Sequence, residues 1–372
     1  MPINYLYILP VVLGIVAAVQ LWYYLYFFTR LANYVAPQKE ASQEYAVSVI
    51  ICAKNEAENL VNNLPGILFQ DYKTTHDVTV VNDNSTDESK FILEEFQHRF
   101  KNLNVIALKQ EAKGIPGKKF PLSVGIKSSR YEIVLLTDAD CIPASEFWIK
   151  KMQDGYEPHI ELVLGYGAYK KHPGLLNKLI RFETFHTALQ YFSYALAGKP
   201  YMGVGRNLSY RKDTFLRNKG FSTINHIPSG DDDLFINMIA NKNNTAIVID
   251  NEAHTLSDPH TTWNSWMQQK NRHYTTAKFY KPSHKFLLSL YATMQMLIYP
   301  LTIATAIFFN WYIAVGIFAV RLIVQAIIWY KCMKKLNESD LFPLFLFFDI
   351  WIFVYNLFFF PSLLKKPSRK WD

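Results

Sequence analysis

Charge is scarce: acidic and basic residues make up 19% of this 372-residue chain, against about 25% in soluble globular domains. Beside 50% hydrophobic and 16% aromatic residues, that shortfall excludes wholesale disorder and points to membrane contact. Cysteine is nearly absent, and Cys52, Cys141 and Cys332 are too few and too scattered for a disulfide framework or a zinc site. With 15 glycines and 17 prolines, a collagen-like or low-complexity polymer is excluded as well. No fixed-period repeat runs through the chain. Nothing basic precedes the first apolar run, which argues against a cleaved signal peptide there.

What is present is a set of long apolar runs. Residues 5–28 carry no charge and as a helix span about 36 Å, enough to cross a bilayer core. Arg30 and Lys39 follow, so the positive-inside rule predicts a cytoplasmic middle region. Three more runs come later, at 286–309, 311–330 and 341–364. The first two predict a hairpin turned at Asn310, with Arg321 facing protein or snorkelling. The third holds Asp349 and Asn356 between Pro343 and Pro361, so a full crossing and an interfacial segment both fit, leaving two or three C-terminal crossings. Much of the net charge of +8 gathers beside these runs, at Lys331, Lys334 and Lys335 and at Lys365, Lys366, Arg369 and Lys370. That placement names a membrane surface, and not nucleic acid, as the partner of the basic residues.

Between residues 46 and 250 short apolar runs alternate with longer mixed segments, the pattern of an α/β sheet with helical crossovers. Strands are expected over 47–52, 78–81, 105–108 and 133–136, and polar residues that follow them mark the edge where open α/β sheets bind ligands. After the fourth, Asp138 and Asp140 lie two apart on a strand-ending turn. Such a pair suits one hard divalent cation that also takes oxygens from a diphosphate. Asp is common in turns, and a strand ending in DxD also opens phosphatases that form an aspartyl-phosphate, although this pair comes after three earlier strand-loop units. After the second strand, Asp83 can accept from a nucleobase N–H while Ser85 or Asp87 caps the next helix. The basic loop at 113–119 can fold over phosphates, and the glycines of GVGRN at 203–207 permit close backbone approach. Asp231, Asp232 and Asp233 precede an apolar helix, where the helix dipole suits two of them as caps and leaves one as a candidate general base. Phe182, Phe185, Tyr191, Phe192 and Tyr194 predict a segment at the membrane interface or a buried helix. Gln269 and Arg272, three apart, share a face if their segment is helical.

Taken in order, VSVIICAKNE, NDNSTD, GKK, TDAD, GVGRN, GDDDL and QKNRH resemble the family 2 glycosyltransferases of GT-A fold over roughly residues 45–280. The flanking apolar runs resemble that family's membrane-bound branch, which includes polysaccharide synthases and ceramide glucosyltransferase-like enzymes. The resemblance implies an α/β, Rossmann-like nucleotide-sugar domain at 45–280 after a transmembrane helix at 1–30, then membrane segments at 286–364 and a basic tail at 365–372. It implies an inverting, metal-dependent hexosyl or N-acetylhexosaminyl transfer from a nucleoside diphosphate sugar, in the first instance a UDP sugar. It places the donor on Ala53, Asn55, Glu56, Asp83, Lys118, Asp138, Gln269 and Arg272, Mg2+ or Mn2+ on Asp138 and Asp140, and the base at Asp231, with Asp232 as the alternative in a shifted register. Three positions depart from the family pattern. Asn82-Asp83 replaces a paired Asp, Gly230-Asp231 replaces Glu-Asp, and His273 replaces the Trp of QxxRW. An acid motif suits a hydroxyl acceptor, since a lipid phosphate is already anionic and has little need of a base. The expected function is single transfer to a lipid, lipid-linked or glycan acceptor at the membrane. A processive polysaccharide synthase and a non-catalytic membrane-anchored partner protein are the alternatives.

Overall fold

The computed structural model describes residues 7–37, 45–109, 115–359 and 361. Lys39, the first part of the basic loop at 113–119 and the basic segment 365–372 lie outside them.

One long helix, Ile8–Ala32, comes first. It is α-helical over α1 (Ile8–Trp22) and α2 (Thr29–Ala32), with a π-helical stretch, Tyr23–Phe28, between. Next come β1 (Val47–Ala53), α3 (Ala57–Leu68), β2 (His76–Asn82), α4 (Ser89–Arg99), β3 (Leu103–Ala107), α5 (Lys119–Ser128) and β4 (Ile133–Leu136). Their strands pair in parallel in the order β3-β2-β1-β4. The fourth strand has the expected limits, and the third begins two residues before its apolar run. β5 (Cys141–Pro143), α6 (Trp148–Gln153), β6 (Leu162–Leu164), β7 (Gly167–Tyr169), α7 (Leu175–Leu196), β8 (Leu208–Arg211), α8 (Lys212–Arg217), α9 (Asp233–Ile239), β9 (Thr245–Ile247), β10 (Thr255–Ser257) and α10 (Trp263–Tyr274) follow. β8 joins the sheet antiparallel to β4, and β6 and β9 extend it to seven strands. β5, β10 and β7 make a separate three-stranded sheet.

The strands form here because both faces of the sheet are covered, which suits runs of β-branched residues. Val47, Val49 and Ile51 of β1 face one core with Leu60, Leu64 and Ile67 of α3. Ile50, pointing the other way, meets Leu122 and Ile126 of α5 and Val134 of β4. This second core continues through α7 to the long apolar helices. Phe182, Phe185, Tyr191, Phe192 and Tyr194 are buried within it, so the aromatic segment joins the α/β domain to those helices and does not face lipid. Tyr194 packs edge-on against Phe27 at 4.5 Å.

α11 (Pro282–Phe308) and α12 (Trp311–Lys335) form the expected hairpin, turned where Asn310 Oδ1 accepts from the Tyr312 (2.9 Å) and Ile313 (3.2 Å) N–H groups. A 3₁₀ turn, Ser339–Leu344, leads into α13 (Phe345–Phe359). Ile8–Ala32, Pro282–Phe308, Trp311–Lys335 and Ser339–Phe359 are all long and apolar enough to cross a membrane. Leu13, Val16 and Ala17 of α1 pack with Ile298 of α11 and Ala314 of α12. Arg321 is fully buried in this bundle. Its guanidinium donates to Gln20 Oε1 (2.6 Å), Gln295 Oε1 (2.7 Å) and Asp349 Oδ2 (2.6 Å), tying α1, α11 and α13 to α12.

Candidate active site

β4 ends because Thr137-Asp138-Ala139-Asp140 turns the chain, with the Cys141 N–H donating to the Asp138 carbonyl at 3.1 Å. The turn directs Asp138 and Asp140 into a cavity of about 790 Å³. One oxygen from each, with Cys141 Sγ, falls within 4.8 Å of the others. Burial would raise the Asp138 carboxyl, but the Lys118 ammonium 2.8 Å away outweighs it and holds that carboxyl below its ordinary range. Asp140 goes the other way, pushed up by burial and by the charge of Asp138. A dication between the two would relieve that repulsion. Burial and Asp140 push the Cys141 thiol far up, and it contacts Ser257 Oγ at 3.0 Å. The donor set is therefore two hard carboxylates beside a protonated thiol, which fits Mg2+ or Mn2+ better than a thiophilic metal.

The three consecutive acids separate by partner. Gly230, at φ +99°, opens the turn, and a Cβ there would lie 2.4 Å from Leu234 Cδ1. Asp232 caps α9, accepting from the N–H groups of Asp233 (2.7 Å) and Gly205 (2.8 Å). Asp233 accepts from Thr276 Oγ1 (2.5 Å) and the Tyr280 hydroxyl (2.7 Å), anchoring the chain between α10 and α11. Asp231 remains, 6% exposed on the cavity wall, with the Lys118 ammonium 3.4 Å from its carboxylate. Burial, then the charges of Asp231 and Asp233, push the Asp232 carboxyl up to about 7. Lys119 feels the charges of the three acids but hydrogen-bonds to backbone: its buried ammonium donates to the carbonyls of Ile227 (2.6 Å) and Ser229 (2.7 Å). It fixes the loop that presents Asp231.

α10 begins at Thr262, whose hydroxyl caps it through the Ser265 N–H (3.3 Å). Gln269, Arg272 and His273 line the cavity from this helix. The Gln269 Oε1 atom is buried with no hydrogen-bond partner among the described residues, as a group awaiting a ligand would be. Lys270 turns inward and pairs with Glu183 of α7. Arg206 also lines the cavity, its guanidinium 4.2 Å from the Tyr169 ring centroid and donating to Ser257 Oγ at 3.1 Å. Sequence reasoning valued GVGRN for its glycines and missed this cation, whose place within a motif was the available signal.

The cavity thus brings together Glu56, Lys118, Asp138, Asp140, Asp231, Asp232, Gln269 and Arg272. Ala53, Asn55 and Asp83 lie outside its lining, at the neighbouring ends of β1 and β2. There the Asp83 N–H donates to the Ala53 carbonyl (2.8 Å), and Asp83 Oδ1 accepts from Asn84 Nδ2 (3.1 Å). Asn55, in the left-handed region at φ 57°, accepts from the Thr86 N–H at 2.8 Å, so its carbonyl oxygen joins two strand-end loops. Asp87 accepts from the N–H groups of Ala57 (3.0 Å) and Ser89 (3.1 Å), capping α3 and α4 together. Away from the acids the cavity runs on between α7, α11 and α13, past His186, Leu288, Met296, Trp351 and Tyr355.

Residues 48–215 match the family model described as Glycosyl transferase family 2. Over 106 residues the chain is 33% identical to Glycosyltransferase AglE of Haloferax volcanii, covering 28% of this chain and 33% of that protein. Over 184 residues it is 25% identical to the poly-beta-1,6-N-acetyl-D-glucosamine synthase of Staphylococcus epidermidis, covering 48% of this chain and 43% of that one. The matches thus span less than half the length of these curated relatives. Among solved structures, the mannosyltransferase PcManGT from Pyrobaculum calidifontis, in complex with GDP-Man and Mn2+, superposes with a TM-score of 0.56 at 17% identity. That superposition covers 91% of this chain and 99% of that one. At this identity the likeness is one of fold.

Proposed function

We propose that residues 48–215, which match the family model described as Glycosyl transferase family 2, are the glycosyltransferase part of this chain. From that premise we propose that the chain moves a sugar from a nucleoside diphosphate sugar, a UDP sugar in the first instance, to a hydroxyl group of a lipid or lipid-linked acceptor, with inversion. The observation that carries this reading is the continuity of one cavity from Asp138, Asp140 and Asp231 to Leu288, Met296, Trp351 and Ile352 on α11 and α13. Such a space suits an amphiphile, with its polar end at the acids and its apolar part among those side chains.

Asp138 and Asp140 would hold the divalent cation, which when bound offsets charge growing on the departing diphosphate. Lys118, already between Asp138 and Asp231, brings a positive charge to the same place. Arg272 presents a planar fork for diphosphate oxygens, and Gln269 offers its unpartnered Oε1 to a sugar or acceptor hydroxyl. Asp231 takes the proton from the attacking hydroxyl, and attack opposite the leaving diphosphate inverts the anomeric centre. Ala53, Asn55 and Asp83 would then meet the nucleoside end of the donor at the edge of β1 and β2. In this arrangement the domain at 45–280 lies in the cytoplasm, between the helix at 1–30 and the segments at 286–364.

The test is nucleoside diphosphate release by the full-length chain, in detergent with a lipid extract, across a panel of UDP and GDP sugars with Mg2+ or Mn2+. The reading expects cation-dependent UDP release that Asp140→Ala abolishes, along with cation-dependent UDP binding by calorimetry. Release of GDP alone would correct the nucleotide, and product length separates single transfer from polymer synthesis. No release above the Asp140→Ala background with any donor would leave the non-catalytic partner reading standing.

A further inference from the structure

The cavity leaves the acids along α7. Phe185, Leu189 and Phe192 turn one side of that helix into the shared core, while Glu183, His186, Thr187 and Gln190, recurring every three or four residues, line the cavity from the other. All four are half-buried. A polar helix face is thus enclosed within the molecule, and from Glu183 to Gln190 it runs about 10 Å along the axis.

The row is held in place by its own contacts. Thr187 Oγ1 donates to Glu183 Oε1 (3.2 Å), and the same carboxylate pairs with Lys270 of α10. His186 sits between Gln190 Nε2, 3.3 Å from its Nδ1, and the Tyr291 hydroxyl, 3.1 Å from its Nε2. Bonding capacity remains beyond these contacts, since a hydroxyl has two lone pairs and a primary amide has two N–H groups and a carbonyl oxygen.

Two further groups border the same space. Gln269 on α10 and Trp351 on α13 both line the cavity, and Gln269 Oε1 and Trp351 Nε1 are buried with no hydrogen-bond partner among the described residues. The first can only accept and the second can only donate. Buried polar atoms are normally paired, so the ligand that completes this wall both donates and accepts. Hydroxyl groups do both, whereas carbonyl and ionised phosphate oxygens only accept.

The number of hydroxyls then decides between acceptors. A lipid alcohol has one, which Asp231 engages, and its chain would lay hydrocarbon along Glu183, Thr187 and Gln190 and bury them against an unfavourable surface. A sugar carries several hydroxyls, together with an apolar ring face that Trp351 and Tyr355 can cover.

We propose that α7, Gln269 and Trp351 form a saccharide subsite, so that the hydroxyl presented to Asp231 belongs to a sugar unit the acceptor already carries. The subsite rests on the transferase reading and narrows its acceptor to a glycosylated amphiphile: the chain extends a saccharide and does not prime a bare lipid alcohol. The sugar's hydroxyl oxygen bonds to the donor's anomeric carbon as the anomeric bond to the diphosphate breaks. Its proton goes to Asp231, and the electron pair leaves with the nucleoside diphosphate. The lipid portion continues to Leu288, Met296 and Ile352.

Sugar binding is tested apart from transfer. An ethoxylate detergent, whose head carries no sugar, keeps the full-length chain in solution while methyl β-glucoside, methyl β-galactoside and methyl β-N-acetylglucosaminide are titrated against it by saturation-transfer NMR. Saturation of the ring protons of at least one is expected. Thr187→Val with Gln190→Leu should weaken that binding by about tenfold, roughly the worth of one or two hydrogen bonds. Trp351→Phe, which removes the N–H and keeps a ring, should weaken it too. Cation-dependent UDP binding by each variant shows that it is folded. Ring protons unsaturated with all three probes, or equally saturated in wild type and the folded variants, would overturn the subsite. In the transfer assay, label from the donor is expected on the decyl β-glycoside of the sugar that binds and not on decanol; equal labelling of decanol also overturns it. Absence of nucleoside diphosphate release with every donor would instead defeat the transferase reading, and the NMR result decides the subsite by itself.

Discussion

Asp231, Asp232 and Asp233 are neighbours in sequence, yet among the described residues only Asp231 faces the cavity without a backbone N–H or a hydroxyl bonded to its carboxylate. Asp231→Asn is therefore expected to keep nucleotide binding while lowering kcat by about 10² to 10⁴, the usual worth of a general base. Asp232→Asn should cost less, and a reversed order in kcat would transfer the role to Asp232. Asp232 has a second consequence, in pH dependence. Its carboxyl is pushed up to about 7 by burial and two like charges, against about 3.9 in an unfolded chain. The folded protein thus keeps a proton that the unfolded one releases. Stability from this group is fully present below about pH 4 and is lost as pH rises through about 7. Asp232→Asn removes that loss, so its melting temperature relative to wild type should improve between about pH 5 and about pH 8. An equal difference at both pH values would show that Asp232 is ionised throughout.

α10 carries Gln269 and Arg272 on one face toward the cavity, and its inward Lys270 holds Glu183 of α7. If Arg272 grips a diphosphate with its planar fork, Arg272→Lys keeps the charge, loses the bidentate geometry and should lose most turnover while membrane insertion is unchanged. Near-normal transfer by that variant in detergent would assign Arg272 to lipid phosphates. Elements differ in how far the sequence reveals them, and the reason is physical. β1, β2 and β4 are legible because burial on both faces writes an apolar run long enough to recognise. β5, β7 and β10 have three residues each, too short for any period to show. That Asp138, Asp140 and Asp231 share one cavity was legible in the short acidic motifs that end β4 and precede α9. Arg206 was not, because its role depends on Tyr169 and Ser257, brought to it from distant positions.

At the scale of the molecule, the helix bundle and the α/β domain share one core, running from Ile50 beneath the sheet to Tyr24 and Trp329 among the long apolar helices. Its most exacting part is the buried Arg321, with Gln20, Gln295 and Asp349 around it, while Tyr299 (2.5 Å) and Gln325 (2.8 Å) also donate to Asp349. Arg321→Leu leaves Asp349 buried without its counter-charge and should destabilise the protein by on the order of 3–5 kcal/mol. Arg321→Leu with Asp349→Leu should recover part of that loss. Thermal unfolding of both variants in detergent decides it, and a single variant that melts like wild type would show that the charge pair is not holding the bundle. The same contact has a mechanical meaning for the active site. Held at Asp340, Asp349 and Phe359, α13 is a beam on three supports, and Trp351, Ile352 and Tyr355 hang from the span between the second and the third. Losing the Asp349 bonds leaves Phe348 on Phe182 and Tyr355 beside Trp266, so the helix keeps its apolar seats and loses only the polar one nearest Trp351 and Ile352. The polar centre of a helix bundle thus stands, through one helix, next to a cavity whose acids lie at the other end.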